Sequence, residues 1–132
     1  MTLADARSEL RGALERKFSG VAVVDEYVSA PALPAIILEV QDGVDDVDIA
    51  GATTMYSLGV RLAVPNTDFD AVDVNRDPSN DDGLAGFLSD VALECSTLIS
   101  GDVTAGVDQD DPLTNKGAKY RFVDVSCDWY VT

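Results

Sequence analysis

Apolar and polar residues recur along this chain with two different periods, and the change of period marks its elements. Leu3, Ala6, Leu10, Ala13 and Leu14 fall at helical spacing and predict an N-terminal helix. Thr2 and Asp5 form the [ST]-x-x-[DE] start signal, in which a hydroxyl and a carboxylate each cap a free backbone amide. Ser19-Gly20 supplies the stop. The run from Val21 to Tyr27 is short and β-prone. After it, Pro31 and Pro34 hold the chain extended into a strand at Ala35 to Gln41. In that strand Ile36, Leu38 and Val40 share one face, while Ile37, Glu39 and Gln41 make the other face wetter. Asp42 to Thr54 reads as an acidic loop or hairpin tip. Met55 to Val64 then alternates strictly, with Tyr56, Leu58, Val60, Leu62 and Val64 on one side, and predicts a long strand ending at Pro65-Asn66.

Residues 66 to 83 carry turn chemistry throughout and read as a loop. Leu84, Phe87, Leu88, Val91, Cys95 and Leu98 then form one apolar stripe, predicting a helix of about four turns with Asp82 as its N-cap and Ser100-Gly101 as its exit. A second polar loop, about 102 to 117, leads to a strand from Lys119 to Val131. Val123, Val125, Cys127, Trp129 and Val131 line one face of that strand, and Phe122, Asp124, Ser126, Asp128 and Tyr130 the other. The expected order is α-β-β-β-α-β. That order makes an α+β two-layer sandwich, with a four-stranded, mainly antiparallel sheet and two amphipathic helices.

Length and composition fit one domain over residues 1–132, with 46% apolar residues. A chain of this size buries about two-thirds of its unfolded surface and needs no metal or disulfide staple. The longest apolar stretch, Ala30 to Leu38, is broken by Pro31 and Pro34 and falls far short of the roughly 20 residues of a membrane span. Charged residues among the first eleven argue against a secretory leader, so a cytosolic setting is expected. Charge changes the picture more. Twenty-four Asp plus Glu face nine Lys plus Arg, for a net −15, and 19 of the acids are Asp. A field of that sign repels phosphate backbones and argues against direct nucleic-acid binding. Acidity alone fits a solubility device, adaptation to a salty cytosol, or a surface to which DNA does not stick.

The chain has no His, which removes Ser-His and Cys-His nucleophile pairs, His-bound zinc and imidazole acid–base chemistry. Its two cysteines, Cys95 and Cys127, are too few for a thiolate zinc cage and read as buried small hydrophobes. The acids at Asp68, Asp70, Asp73, Asp77, Asp81 and Asp82 invite comparison with a calcium loop. Such a loop needs oxygen ligands at its first, third and fifth positions, Gly at the sixth and Glu at the twelfth. Counting from Asp73, Pro78 stands at the glycine position and Leu84 at the glutamate position, so a solvated acidic loop is the expectation. Asp124 and Asp128 share a strand face, but acid–base work needs two carboxyls in different environments of one cleft. No catalytic residue, cofactor or metal site is predicted. Phe122 and Tyr130 on that same face suggest a surface covered by something, such as another copy of the chain.

Four stretches together resemble the tail terminator proteins of long-tailed, siphovirus-like phages and archaeal tailed viruses. They are the N-terminal amphipathic helix ending in Asp25-Glu26-Tyr27-Val28, the proline-led strand Leu33 to Glu39, and the alternating strand Tyr56 to Val64. The fourth is the stripe Leu84 to Leu98, followed after a loop by Lys119-Tyr120-Arg121-Phe122-Val123-Asp124-Val125. The likeness covers nearly the whole chain and rests on element order and apolar spacing. The Asp-rich stretch at 66–83 is longer than the family pattern leads one to expect.

The resemblance implies a structural virion protein of the tail and neck, made in the host cytoplasm. It would form a ring, usually of six subunits, that caps the tail tube, stops its polymerisation and joins it to the connector or stopper protein of the head. DNA would pass through that ring without specific binding. Six copies would carry on the order of −90 charges, so acids facing the channel would let DNA slide past. On this reading Asp42, Asp45, Asp46 and Asp48, or Asp68, Asp70, Asp73 and Asp77, lie at the lumen or the tube contact, and Phe122 and Tyr130 at an interface. Another neck, tail-completion or minor tail protein, and a free-standing acidic protein-binding module, remain open alternatives.

Overall fold

A computed structural model of the chain describes residues 2–25, 33–45, 53–108 and 119–131. The elements run α1 (Leu3–Lys17), β1 (Ala22–Asp25), β2 (Ala35–Asp45), β3 (Thr54–Pro65), α2 (Phe69–Arg76), α3 (Leu84–Asp90), β4 (Ser96–Asp108) and β5 (Tyr120–Val131). The α+β class holds. The sheet, however, has five strands in the order β1-β2-β3-β5-β4 and is mixed, because β1 lies parallel to β2 while the remaining pairs are antiparallel. This corrects the four-stranded expectation.

α1 begins with the predicted reciprocal cap. The Thr2 hydroxyl accepts from the Asp5 amide at 3.1 Å, and the Asp5 carboxylate accepts from the Thr2 amide at 3.0 Å. Gly20, with φ +86°, takes the left-handed turn that releases the chain into β1. Ala6, Leu10 and Leu14 are wholly buried against Ile36, Leu38, Leu58, Val60, Val123 and Val125. The same cluster takes in Val72 of α2 and Leu84, Ala85 and Leu88 of α3, so all three helices pack on one face of the sheet. Trp129, also fully buried there, donates its indole N–H to Ser96 Oγ at 2.8 Å and ties β5 to the first residue of β4.

Three further expectations are revised. β2 runs on to Asp45 and β3 starts at Thr54, which shortens the acidic loop between them. The stretch 66–83 contains a helix, α2, capped by Asp68 accepting from the Ala71 amide at 3.1 Å. The stripe from Leu84 to Leu98 is not one helix. α3 stops at Asp90, and its N-cap is Gly83, not Asp82, whose carboxylate instead meets Lys17 at 3.5 Å. Leu98 belongs to β4, which runs through the first part of the expected 102–117 loop as far as Asp108; residues 109–118 lie outside the described residues. The helix ends early because Glu9 of α1 takes the amides of Glu94 and Cys95, at 2.7 and 2.9 Å, and so holds that backbone in the non-helical approach to β4.

α2 and α3 fit together at van der Waals limits. A Cβ on Gly86 would stand 2.0 Å from the Asn80 carbonyl oxygen, and one on Gly83 would stand 2.1 Å from that of Val74. Asn75 bridges the pair, donating to the Ala71 carbonyl at 2.7 Å and accepting from the Leu84 amide at 2.9 Å, which serves one of the free amides opening α3.

Candidate assembly surface

Among the described residues no helix packs on the sheet face away from α1, α2 and α3, and the side chains of that face follow from strand alternation. On β3 the outward positions are Met55, Ser57, Gly59, Arg61 and Ala63. Paired with them on β5 are Tyr130, Asp128, Ser126, Asp124 and Phe122. One end of this face is apolar, with Ala35, Ile37, Ala63 and Tyr120 fully buried and Val24, Leu33 and Phe122 packed against them. The predicted wet face of the second strand is therefore wet only at Glu39 and Gln41, both exposed, since Ile37 is buried.

Arg61 organises the centre. Its Nε and Nη2 donate to the two oxygens of Asp124 at 2.7 and 2.8 Å, a two-pronged fit that a guanidinium makes to a carboxylate. Its Nη1 meets the Asp108 carboxylate and donates to the Tyr120 hydroxyl at 2.8 Å. The guanidinium lies 4.0 Å above the Phe122 ring, and that ring reaches β4 at Gly106, where a Cβ would stand 3.0 Å from it. One cation thus joins β3, β5 and β4. It is also the lone Lys or Arg between Lys17 and Arg76, which is the signal by which the sequence marks it.

Beside this network the surface sinks where Ser57, Gly59 and Ser126 present little or no side chain. A depression of about 470 Å3, rimmed by Gln41, Ile99, Asp102 and Asp128, adjoins one of about 240 Å3 that reaches Glu39, Thr104 and Asp124; both include Gly59, Asp102 and Ser126. The carboxylates of this face are Glu39, Asp102, Asp108, Asp124 and Asp128, and Arg61 balances only part of them. Asp102 sits in a bulge of β4 between Ser100 and Val103, a device that re-aims side chains at a sheet edge.

The other predicted residues are scattered. Phe122 is half-buried within the Arg61 network, and Tyr130 is half-buried opposite Met55 and Thr97. Asp42 and Asp45 fall in the last part of β2, and Asp46 and Asp48 lie outside the described residues. Among the acids of 66–83, Asp68 caps α2 and Asp70 is exposed in its first turn. Asp73 lies 3.6 Å from Arg76. Asp77 accepts from the Ser79 hydroxyl and amide at 2.7 and 2.9 Å, and these bonds hold its carboxyl below the ordinary value. Several of these acids therefore serve local folding.

Among the described residues no group of three or more carboxylates and thiols is arranged to hold a metal ion. Burial pushes the Cys127 thiol up to about 12, with the Asp128 charge adding to the shift, and burial followed by the Glu9 charge raises that of Cys95. Neither thiol is poised as a nucleophile. No protein-family model matches the chain, and no curated protein does either.

Proposed function

We propose that this chain is the ring-forming tail terminator of a long-tailed virus, which caps the tail tube, stops its growth and joins it to the head connector. The reading rests on the likeness in element order and apolar spacing, and one structural observation supports it. Among the described residues no helix packs on one face of the sheet, and the accessible part of that face combines half-buried aromatics with an excess of carboxylates. An assembly subunit would use the half-buried Phe122 and Tyr130 for contact and the carboxylates around them for exclusion. Capping would work by shape. The ring matches the last ring of the tube on one side and offers a different surface on the other, so polymerisation ends there. Acids turned toward the channel would repel the phosphates of passing DNA. The α2 segment, with Phe69 and Val74 exposed beside Asp70 and Asp73, would meet the tube on this reading.

Sizing the purified protein in high salt, with and without tail-tube protein, tests the proposal. A ring, and tubes that stop growing once it is added, are the expected results. A protein that stays monomeric at high concentration and leaves tube growth unchanged would overturn it. In that event a binding module for a basic partner, consistent with the net charge of −15, becomes the better reading.

A further inference from the structure

The two edges of the sheet differ in length and protection. β4 bonds to β5 along one side, and among the described residues no strand pairs with its other side. Natural proteins blunt such an edge by keeping it short or by placing Lys or Pro on it. β4 has 13 residues and none of its positions is Lys, Arg or Pro. Its two charges, Asp102 and Asp108, stand in the bulge and at the last position, so Ser96–Gly101 and 103–107 are uncharged runs. Thr97, Ile99, Val103, Thr104 and Val107 give those runs strong β character. Ile99 is 54% exposed and Val107 43% exposed, so the strand presents apolar side chains along an open hydrogen-bonding edge.

We propose that the β4 edge pairs with the β1 edge of a second copy of this chain, an inference that rests on the ring reading above. Strand direction carries the argument. β1 and β2 are parallel, and direction then alternates through β3, β5 and β4, so β4 runs opposite to β1. The β1 of a neighbour set beside β4 therefore forms an antiparallel ladder and keeps both helix layers on the same side of the sheet. The contact joins two different edges, so a joined pair still offers one β1 edge and one β4 edge, and the pairing propagates until it closes. Level also matches. Val24 pairs with Ile37, Ile37 with Arg61, Arg61 with Asp124 and Asp124 with Thr104, which sets Ala22–Asp25 at the height of residues 103–106. There Val23 of the neighbour meets Ala105, exposed on the helix side below the bulge.

Ala105→Lys and Val107→Lys place a charge on the edge at exposed positions, with Ser8→Lys on the exposed side of α1 as the control. Native mass spectrometry and light scattering in high salt are expected to show the control assembling like the wild type. The two edge variants should keep their circular dichroism and assemble about tenfold less tightly or worse. Amide hydrogen exchange on the wild type gives a reading free of any folding defect, because residues 103–107 should exchange more slowly in the ring than in the diluted monomer. Rings that tolerate both lysines and leave those amides unprotected would overturn the edge pairing and leave the ring reading standing. An assembly that stops at a dimer, as β4-to-β4 pairing would give, also overturns it. A wild type that never assembles and never caps tubes overturns the ring reading and the pairing together.

Discussion

The two faces of the sheet are held by different forces. Beneath the helices, Leu10, Leu14, Ile36, Val60, Leu88, Val125 and Trp129 are fully buried, and stability there comes from removing apolar surface from water. On the other face only the end around Ala35, Ile37, Ala63 and Tyr120 is buried, and beside it the strands are tied by one guanidinium shared among Asp124, Asp108 and Tyr120. Arg61 keeps 18% of its side-chain surface exposed, and Asp108 and Asp124 keep 40% and 34%, so solvent screens this network. Apolar burial tells each strand which face to bury. The ion network adds which residues stand opposite one another, because a two-pronged Arg–Asp pair accepts little displacement. The first face sets how stable the fold is, and the second sets its register and presents its charge.

The strongest way to break this contrast is Trp129→Ala, which empties the centre of the covered face and strands the Ser96 hydroxyl. A loss of about 3–5 kcal/mol in urea unfolding is expected. Arg61→Ala attacks the open face and should cost less, about 1–3 kcal/mol, because its carboxylate partners regain water. A loss as large as that of Trp129→Ala would show that charge, not apolar burial, carries the sheet. Thr2→Ala is the mildest change, costing about 1 kcal/mol through the α1 cap. It also carries a pH signature. Hydrogen bonds from the Thr2 amide and hydroxyl hold the Asp5 carboxyl below its ordinary value of 3.8. A group depressed by folding stabilises the native state above its unfolded pKa, and that contribution fades as pH falls through the lower, folded value. Acid unfolding of Thr2→Ala should show a smaller step, because the hydroxyl is lost while the backbone amide of residue 2, the larger influence, stays, and an unchanged acid profile would remove the hydroxyl's part in it.

What the sequence disclosed follows the same division. α1, β3 and β5 were legible because each turns one periodic apolar stripe to the covered face, and in β5 the stripe Val123 to Val131 is the buried set. The run from Leu84 to Leu98 misled because α3 and β4 both turn apolar residues to that same core, so two elements of different period produced one helical pattern. Only the tie from Glu9 to the amides of Glu94 and Cys95, contacts 85 residues and more apart in sequence, separates them. α2 was hidden for the opposite reason, since Val72 is its one buried residue and leaves no period to read. On the open face, Asp124 and Phe122 could be placed by alternation. Arg61's hold on Asp108 could not, because Asp108 fell within an expected loop.

The contact between α2 and α3 has a consequence for the chain's descent. At Gly83 and Gly86 the clearance to a facing carbonyl leaves no room for even a methyl group, whatever happens to the acids around them. Surface aspartates can drift, exchange with glutamate or move along a loop at little cost. A descendant that replaced either glycine would have to rebuild the turn between the two helices. Among divergent kin, the spacing Gly-x-x-Gly just after an acidic turn should therefore outlast the acidity that first catches the eye, and it is the mark by which such kin can be sought.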